Sequence, residues 1–78
     1  MEELRELIFD YIKTHNTIAG GVIERNGLIA VINGNARFFN LTMLEDEINN
    51  LIDEEILAVN ENNRLITTQN GFDLIMNS

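Results

Sequence analysis

The chain has 78 residues, 13 of them acidic and 5 basic, giving a formal net charge of −8 at pH 7, and it contains no cysteine. This composition excludes a disulfide scaffold and a thiolate metal site, and it predicts repulsion from phosphate backbones and anionic membranes and attraction to a basic protein. We expect one small cytoplasmic domain, residues 1–78, since no apolar run approaches the roughly 18 residues that a membrane span needs.

The first predicted element is an amphipathic helix near the start of the chain. Its apolar residues recur at helical spacing on one face: Leu4, Leu7, Ile8, Tyr11 and Ile12. Acidic residues lie toward its N-terminal end and basic residues toward its C-terminal end, where each sign suits the helix dipole. Glycines 20 and 21 predict a break after this helix.

Two phenylalanine positions raise the question of self-association. Phe9 points roughly 120° away from the centre of the apolar face of the first helix. Alternation along a strand would send one ring of the pair Phe38 and Phe39 outward. We therefore expect a homodimer with Phe9 and Phe38 as contacts, with coverage of Phe9 inside one chain as the alternative.

The middle of the sequence favours β-structure. Asn26-Gly27 and Asn33-Gly34 each sit between apolar runs, a strong hairpin signal. Residues 28–39 are therefore predicted to have hairpin character. Residues 18–25 stay undecided between helix and strand, because Asn-Gly also terminates helices.

A second amphipathic helix and a hairpin are predicted in the C-terminal half. The apolar face of the helix is formed by Leu44, Ile48, Leu51 and Ile52, and the capping-box pattern from Thr42 to Glu45 predicts its start. Residues 57–59 and 64–68 have high β-propensity and flank the polar tip 60–63, a pattern typical of a short hairpin, or wing.

The residues after the wing carry a resemblance to a known superfamily. Thr68, Gly71 and Leu74 match a T-x-x-G-x-x-L pattern that starts the closing helix of many winged-helix regulators. Residues 4–12 and 44–75 together resemble the winged helix-turn-helix superfamily. The resemblance implies a compact helical core with a β-wing, and the intervening third of the chain departs from its pattern. We therefore expect a small α+β domain with, in order, a first helix, a hairpin-containing middle, a helix called helix 3 in that superfamily, a β-wing and a short C-terminal helix. Such scaffolds serve transcription regulators and protein-interaction modules.

Catalytic patterns are missing from the sequence. The chain has one histidine, His15, and no nucleophile-elbow, HExxH or P-loop motif. His15 is predicted at a helix C-terminus, where an imidazolium suits the dipole. We therefore expect a non-enzymatic protein without cofactor or bound metal.

The outward face of the predicted helix 3 indicates what the domain binds. It is expected to present acidic and amide groups as a protein-partner face: Asp46, Glu47, Asn50, Asp53 and Glu54. A carboxylate about 4 Å from a phosphate costs on the order of 1 to 4 kcal/mol, which disfavours DNA. The predicted partner is a protein with a basic surface, such as a nucleic-acid-binding groove that the domain masks.

A regulator or inhibitor from a phage or other mobile element fits this expectation. The 12 asparagines and 11 isoleucines are typical of AT-rich coding. The alternative is a dimeric DNA-binding transcription regulator with contacts from Asn50, Arg64, Arg37 and Arg25.

Overall fold

The computed structural model describes residues 2–15, 18–35 and 40–77. In these ranges the chain forms α1 (Glu2–His15), α2 (Arg25–Asn35), α3 (Leu41–Asp53), β1 (Leu57–Val59), β2 (Leu65–Thr67) and α4 (Gln69–Met76). The predicted α+β class is confirmed. No helix in the described ranges is long and apolar enough to cross a membrane.

Helix α1, predicted as an amphipathic helix, is the centre of the packing. It contacts α2, α3 and α4. Its buried side chains join those of the other elements in one core: Leu4, Ile8, Tyr11, Ile12, Ile23, Leu28, Ile32, Leu44, Ile48, Leu51, Ile56, Leu57, Leu65 and Ile75.

The hairpin predicted for residues 28–39 is wrong over residues 28–35, which belong to α2. Leu28 and Ile32 are four residues apart and both face the core, so helical burial overrides the two Asn-Gly turn signals. Gly27 lies against another helix: a Cβ there would lie 2.4 Å from the Tyr11 hydroxyl, so a larger residue would have to displace that hydroxyl. Residues 36–39 of the predicted hairpin, including Phe38, lie outside the described residues.

The undecided residues 18–25 hold an extended pairing segment, and only the last of them enters α2. The Gly20 N–H donates to the Thr67 carbonyl at 2.8 Å and the Ile23 N–H donates to the Leu65 carbonyl at 2.8 Å. Val22 forms an antiparallel bridge with Ile66. Gly20 has φ +81°, a conformation that glycine adopts without strain.

The predicted wing is confirmed as an antiparallel pair. Its register places Leu57 opposite Thr67, Ala58 opposite Ile66 and Val59 opposite Leu65. Leu57 and Leu65 are buried, whereas Val59, opposite Leu65, is 43% exposed.

Helix α4 begins as the T-x-x-G-x-x-L pattern predicts. The Thr68 hydroxyl oxygen caps it by accepting a hydrogen bond from the Gly71 N–H at 2.9 Å. Ile75 is fully buried and α4 packs against α1, whereas Leu74 is half exposed.

Candidate functional site

Helix α3 starts at Leu41 with Asn40 as its N-cap. The Asn40 side-chain oxygen accepts from the Met43 N–H at 2.9 Å. The capping box predicted at Thr42 is therefore wrong, because the N-cap is Asn40, two residues earlier, and Thr42 already lies inside the helix. Glu45 instead forms an ion pair with Arg25, at 3.1 Å.

Helix α3 ends in a Schellman motif with an unusual residue at its turning point. The Ile56 N–H donates to the Leu51 carbonyl at 2.9 Å, and the Glu55 N–H donates to the Ile52 carbonyl at 3.0 Å. Glu55 has φ 63°, a left-handed conformation in which glycine is usual. This sharp turn leads directly into β1.

One predicted partner-face residue lies inside the protein. Leu44, Ile48 and Leu51 face the core as predicted, but Glu47 is also buried, with 3% of its surface exposed. Its carboxylate accepts a hydrogen bond from Arg5 Nε at 2.9 Å. The assignment of Glu47 to the outward face is therefore wrong. The spacing of apolar residues within α3 could not show that Arg5 of α1 would pair with this carboxylate.

Glu54 is bound by the same arginine. Arg5 Nη1 and Nη2 donate to the two Glu54 carboxylate oxygens at 3.1 and 2.5 Å, a bidentate arrangement. Glu54 is half exposed, but its charge is compensated within the chain. Arg5 thus links α1 to Glu47 in the middle of α3 and to Glu54 at its C-cap.

Electrostatics at this ion-pair cluster favour the charged forms. Burial raises the pKa of Glu47, but hydrogen bonds and attraction from positive groups, Arg5 among them, lower that pKa below its usual value. The hydrogen bond from Arg5 lowers the pKa of Glu54 as well. The two carboxylates in turn raise the pKa of the Arg5 guanidinium, despite its partial burial.

The rest of the predicted partner face is exposed. Asp46, Asn50 and Asp53 recur at i, i+4 and i+7 on the solvent side of α3, with Asn49 beside them. Among the described residues, no basic side chain lies within ion-pair distance of Asp46 or Asp53. We name Asp46, Asn49, Asn50 and Asp53 the acidic stripe.

Two of the arginines predicted to contact DNA come together elsewhere. Arg25 and Arg64 line a pocket of about 160 Å³ with Asn26 and Asn63, at the point where the hairpin meets the start of α2. Asn50 does not line this pocket, and Arg37 lies outside the described residues.

The Phe9 side chain contacts other residues of its own chain. Phe9 is half-buried and packs against the core of its own chain. This favours the alternative that Phe9 is covered within one chain, because the buried surface of α1 is wider than the apolar face predicted from the sequence. The homodimer stays a prediction.

No protein-family model matches this sequence, and comparisons with curated proteins and with solved structures give no match either. Function must therefore be argued from the surface. In the described part of the chain, no group of three or more histidine or acidic side chains could hold a metal ion.

Sequence reasoning missed Arg5 as the organising residue. The signal was present: Glu47 and Glu54 are one heptad apart and share a side of α3, and Arg5 is the basic residue in the first half of α1. The sequence did not show that Arg5 would pair with these two glutamates, because that pairing depends on α1 packing beside α3.

Proposed function

We propose that this domain has no catalytic role and acts by binding a basic surface of another protein through the acidic stripe of α3. The observation that carries the proposal is the distribution of charge around α3. Arg5 and Arg25 are engaged by Glu47, Glu54 and Glu45. The outward carboxylates of Asp46 and Asp53 form no ion pair among the described residues, so they are available to bind a partner protein.

The order of elements supports a winged-helix type of scaffold. Three helices are followed by a hairpin that packs against α3 and by a closing helix that packs against α1. The resemblance implied this helical core and wing, whereas the hairpin expected between the first helix and helix 3 is replaced by α2 over residues 25–35. In such a scaffold α3 is the helix that reads a ligand, and here its sequence, Leu41–Asp53, contains no lysine or arginine.

The chemistry of the stripe favours a basic groove as the target. Carboxylates and amides on one helical face offer hydrogen-bond acceptors to lysine and arginine side chains that otherwise hold phosphates. Association would be steered by charge and weakened by salt, because the Debye length is only about 8 Å at 0.15 M. A cytoplasmic regulator or inhibitor encoded by a mobile element, masking a nucleic-acid-binding protein, fits this mode of action.

We expect the double variant Asp46→Lys/Asp53→Lys to lose the partner. A protein captured from an extract of the source cells by the immobilised wild type would be identified and its affinity measured. Reversing both charges should weaken binding about tenfold or more near 0.15 M salt, and wild-type affinity should fall as salt rises.

Glu6→Lys/Glu61→Lys is the matched control. It makes the same change in net charge at exposed positions on α1 and on the hairpin tip. It should retain most of the affinity. Equal losses in both variants would attribute binding to net charge alone and contradict the assignment to the stripe.

One observation favours a second candidate, a DNA-binding regulator. Arg25 and Arg64 converge at the pocket described above, where backbone phosphates could be contacted. The acidic stripe opposes this function, so we expect duplex DNA to bind more weakly than the ordinary nonspecific range of about 10⁻⁴ to 10⁻⁶ M near physiological salt.

Fluorescence anisotropy with labelled duplexes tests this expectation. Sub-micromolar affinity that is lost in Arg64→Gln but kept in Lys13→Gln, which removes the same charge from the end of α1, would replace the protein-binding proposal with the DNA-binding one.

A further inference from the structure

An open apolar groove lies between the C-terminal end of α3, strand β1 and the start of α4. It has a volume of about 600 Å³ and is lined by eight residues: Ile52, Glu55, Leu57, Ala58, Val59, Thr68, Gln69 and Asn70. Leu57 is buried, so the accessible apolar surface comes from Ile52, Ala58 and Val59, of which Val59 is 43% exposed. Clefts of about 300 to 1,000 Å³ take up organic ligands, so this groove has room for a large apolar side chain.

The groove is continuous with the acidic stripe through Asn49. Residues three and four apart on a helix are neighbours on its surface. The exposed Asn49 is three residues from Ile52, which lines the groove, and four residues from Asp53, which belongs to the stripe. The apolar lining of the groove and the outward carboxylates of α3 therefore form one surface.

Two polar side chains of the groove are engaged within the chain. The Thr68 hydroxyl oxygen accepts a hydrogen bond from the Gly71 N–H at 2.9 Å. The Gln69 side-chain amide donates to the Asp73 carboxylate at 3.0 Å. Because both groups already have partners, the groove offers chiefly its apolar lining to a bound molecule.

The charge around the groove determines which segment fits this surface. Three of its carboxylates form no ion pair among the described residues: Asp46, Asp53 and Glu55. None of the described residues that line the groove is basic. A second copy of the chain would bring the same carboxylates and a further net charge of −8 to the contact, and facing like charges oppose association. Lysine or arginine beside an apolar residue complements both parts of the surface.

We propose that the groove binds a large apolar side chain from a basic segment of the partner protein, whose lysine or arginine residues contact Glu55 and the acidic stripe. The inference rests on the proposed function, since it adds an apolar contact to the electrostatic one. Well-packed side chains at the centre of an interface usually dominate its binding energy, whereas exposed charges mainly set the association rate. The groove therefore controls how slowly the partner dissociates, and the stripe controls how fast it associates.

Random peptides displayed on phage, selected on the immobilised wild-type protein, provide the probe. Enriched peptides should combine a large apolar residue with nearby lysine or arginine. Replacing that apolar residue by alanine should speed dissociation of the selected peptide, whereas replacing its basic residues should slow association and reduce the salt dependence. Stopped-flow fluorescence with labelled peptide at several salt concentrations measures both rates.

The substitution Val59→Asp separates an apolar contact from attraction by charge. It puts a carboxylate in the groove, so a purely electrostatic contact with a basic peptide would become tighter. If the groove holds an apolar side chain, affinity should instead fall about tenfold or more, mainly through faster dissociation. Val22→Asp is the matched control, since Val22 is 40% exposed, bridges to Ile66 of β2 and does not line the groove. It should not weaken binding.

The wild-type protein gives a second measurement that needs no variant. In NMR spectra of the isotope-labelled chain, the selected peptide should shift the backbone amide signals of Ile52, Val59 and Asn70 in the groove and of Asp53 in the stripe. The peptide with alanine in place of its apolar residue should lose the groove shifts first. Circular dichroism and thermal unfolding check both valine variants, and these spectra decide the matter if Val59→Asp does not fold.

Several results would overturn the inference. Shifts confined to the stripe, tighter binding by Val59→Asp, or enrichment of peptides without basic residues would each contradict it. Groove shifts that grow with protein concentration in the absence of peptide would make a second copy the occupant. If Asp46→Lys/Asp53→Lys loses the peptide but Val59→Asp does not, the groove proposal fails while the acidic stripe stands. The reverse result removes the stripe from the interface and keeps the groove.

Discussion

Gly71→Ala is expected to reduce the free energy of unfolding by about 3 kcal/mol or more, because overpacking against backbone leaves little room for relaxation. A Cβ at position 71 would lie 1.9 Å from the Ile56 carbonyl oxygen. That oxygen is fixed by hydrogen bonds from the Thr68 N–H at 3.1 Å and the Thr68 hydroxyl at 3.0 Å. Helix α4 would have to move, and Ile75 would leave the core.

Urea unfolding followed by circular dichroism measures this loss. A domain of 78 residues is stable by only about 4 to 12 kcal/mol, so the variant should be unfolded at much lower urea. Gly34→Ala is the control, since it lies in α2 with open space around its added Cβ. It should raise stability by about 0.5 kcal/mol. Similar effects of the two substitutions would refute the close contact between α4 and Ile56.

Arg5→Met is expected to cost about 2 kcal/mol at pH 7. Breaking one side of a buried ion pair typically costs 3 to 5 kcal/mol, and the value is lower here because Arg5 is 28% exposed. The substitution removes the cation that stabilises the buried Glu47 carboxylate and separates α1 from the end of α3. Thermal unfolding at several pH values measures the difference from wild type.

The pH dependence of that difference has a defined sign. The pKa values of Glu47 and Glu54 are lowered in the folded state, so the contribution of Arg5 is complete above the unfolded pKa of about 4.3. It is lost as pH falls through the lowered folded values. The gap between wild type and Arg5→Met should therefore narrow below about pH 4.

A second substitution separates loss of the ion pair from loss of packing. In Arg5→Met/Glu47→Met no charge is left buried at this position, so much of the lost stability should return. Glu54→Gln should have a smaller effect than Arg5→Met, because Glu54 is half exposed. A gap that stays constant from pH 7 to pH 3 would show that the Arg5 stem, not its charge, stabilises the domain.

Residue patterns predicted those parts of the fold whose signals are local. The apolar periodicity of α1 and α3, the strand pattern of the hairpin and the Thr68 cap all depend on neighbours within a few residues. The prediction failed at α2, where Gly27 in an Asn-Gly pair packs against Tyr11 on another helix. It also failed at the α3 cap, which is Asn40, two residues before the predicted Thr42.

The residues of the candidate site were likewise predicted correctly only where the signal is local. The spacing of Asp46, Asn50 and Asp53 on the solvent side of α3 could be read from periodicity, since a helix fixes which residues share a face. Glu47 and Glu54 could not be assigned correctly, because Arg5 lies 42 and 49 residues away along the chain. The pairing of residues 20–23 with β2 likewise depends on contacts between segments that are distant in sequence.

The sequence by itself determined the α+β composition, the acidic character of α3 and the positions of the hairpin and closing helix. These features depend on local sterics, local hydrogen bonds and the periodicity of apolar residues, all of which act within single elements. Tertiary structure decided that residues 25–35 are helical, that Arg5 pairs with the carboxylates of Glu47 and Glu54, and that residues 20–23 pair with β2. Each of these results from contacts between segments distant in sequence, whose free energy exceeds the local preferences of the residues involved.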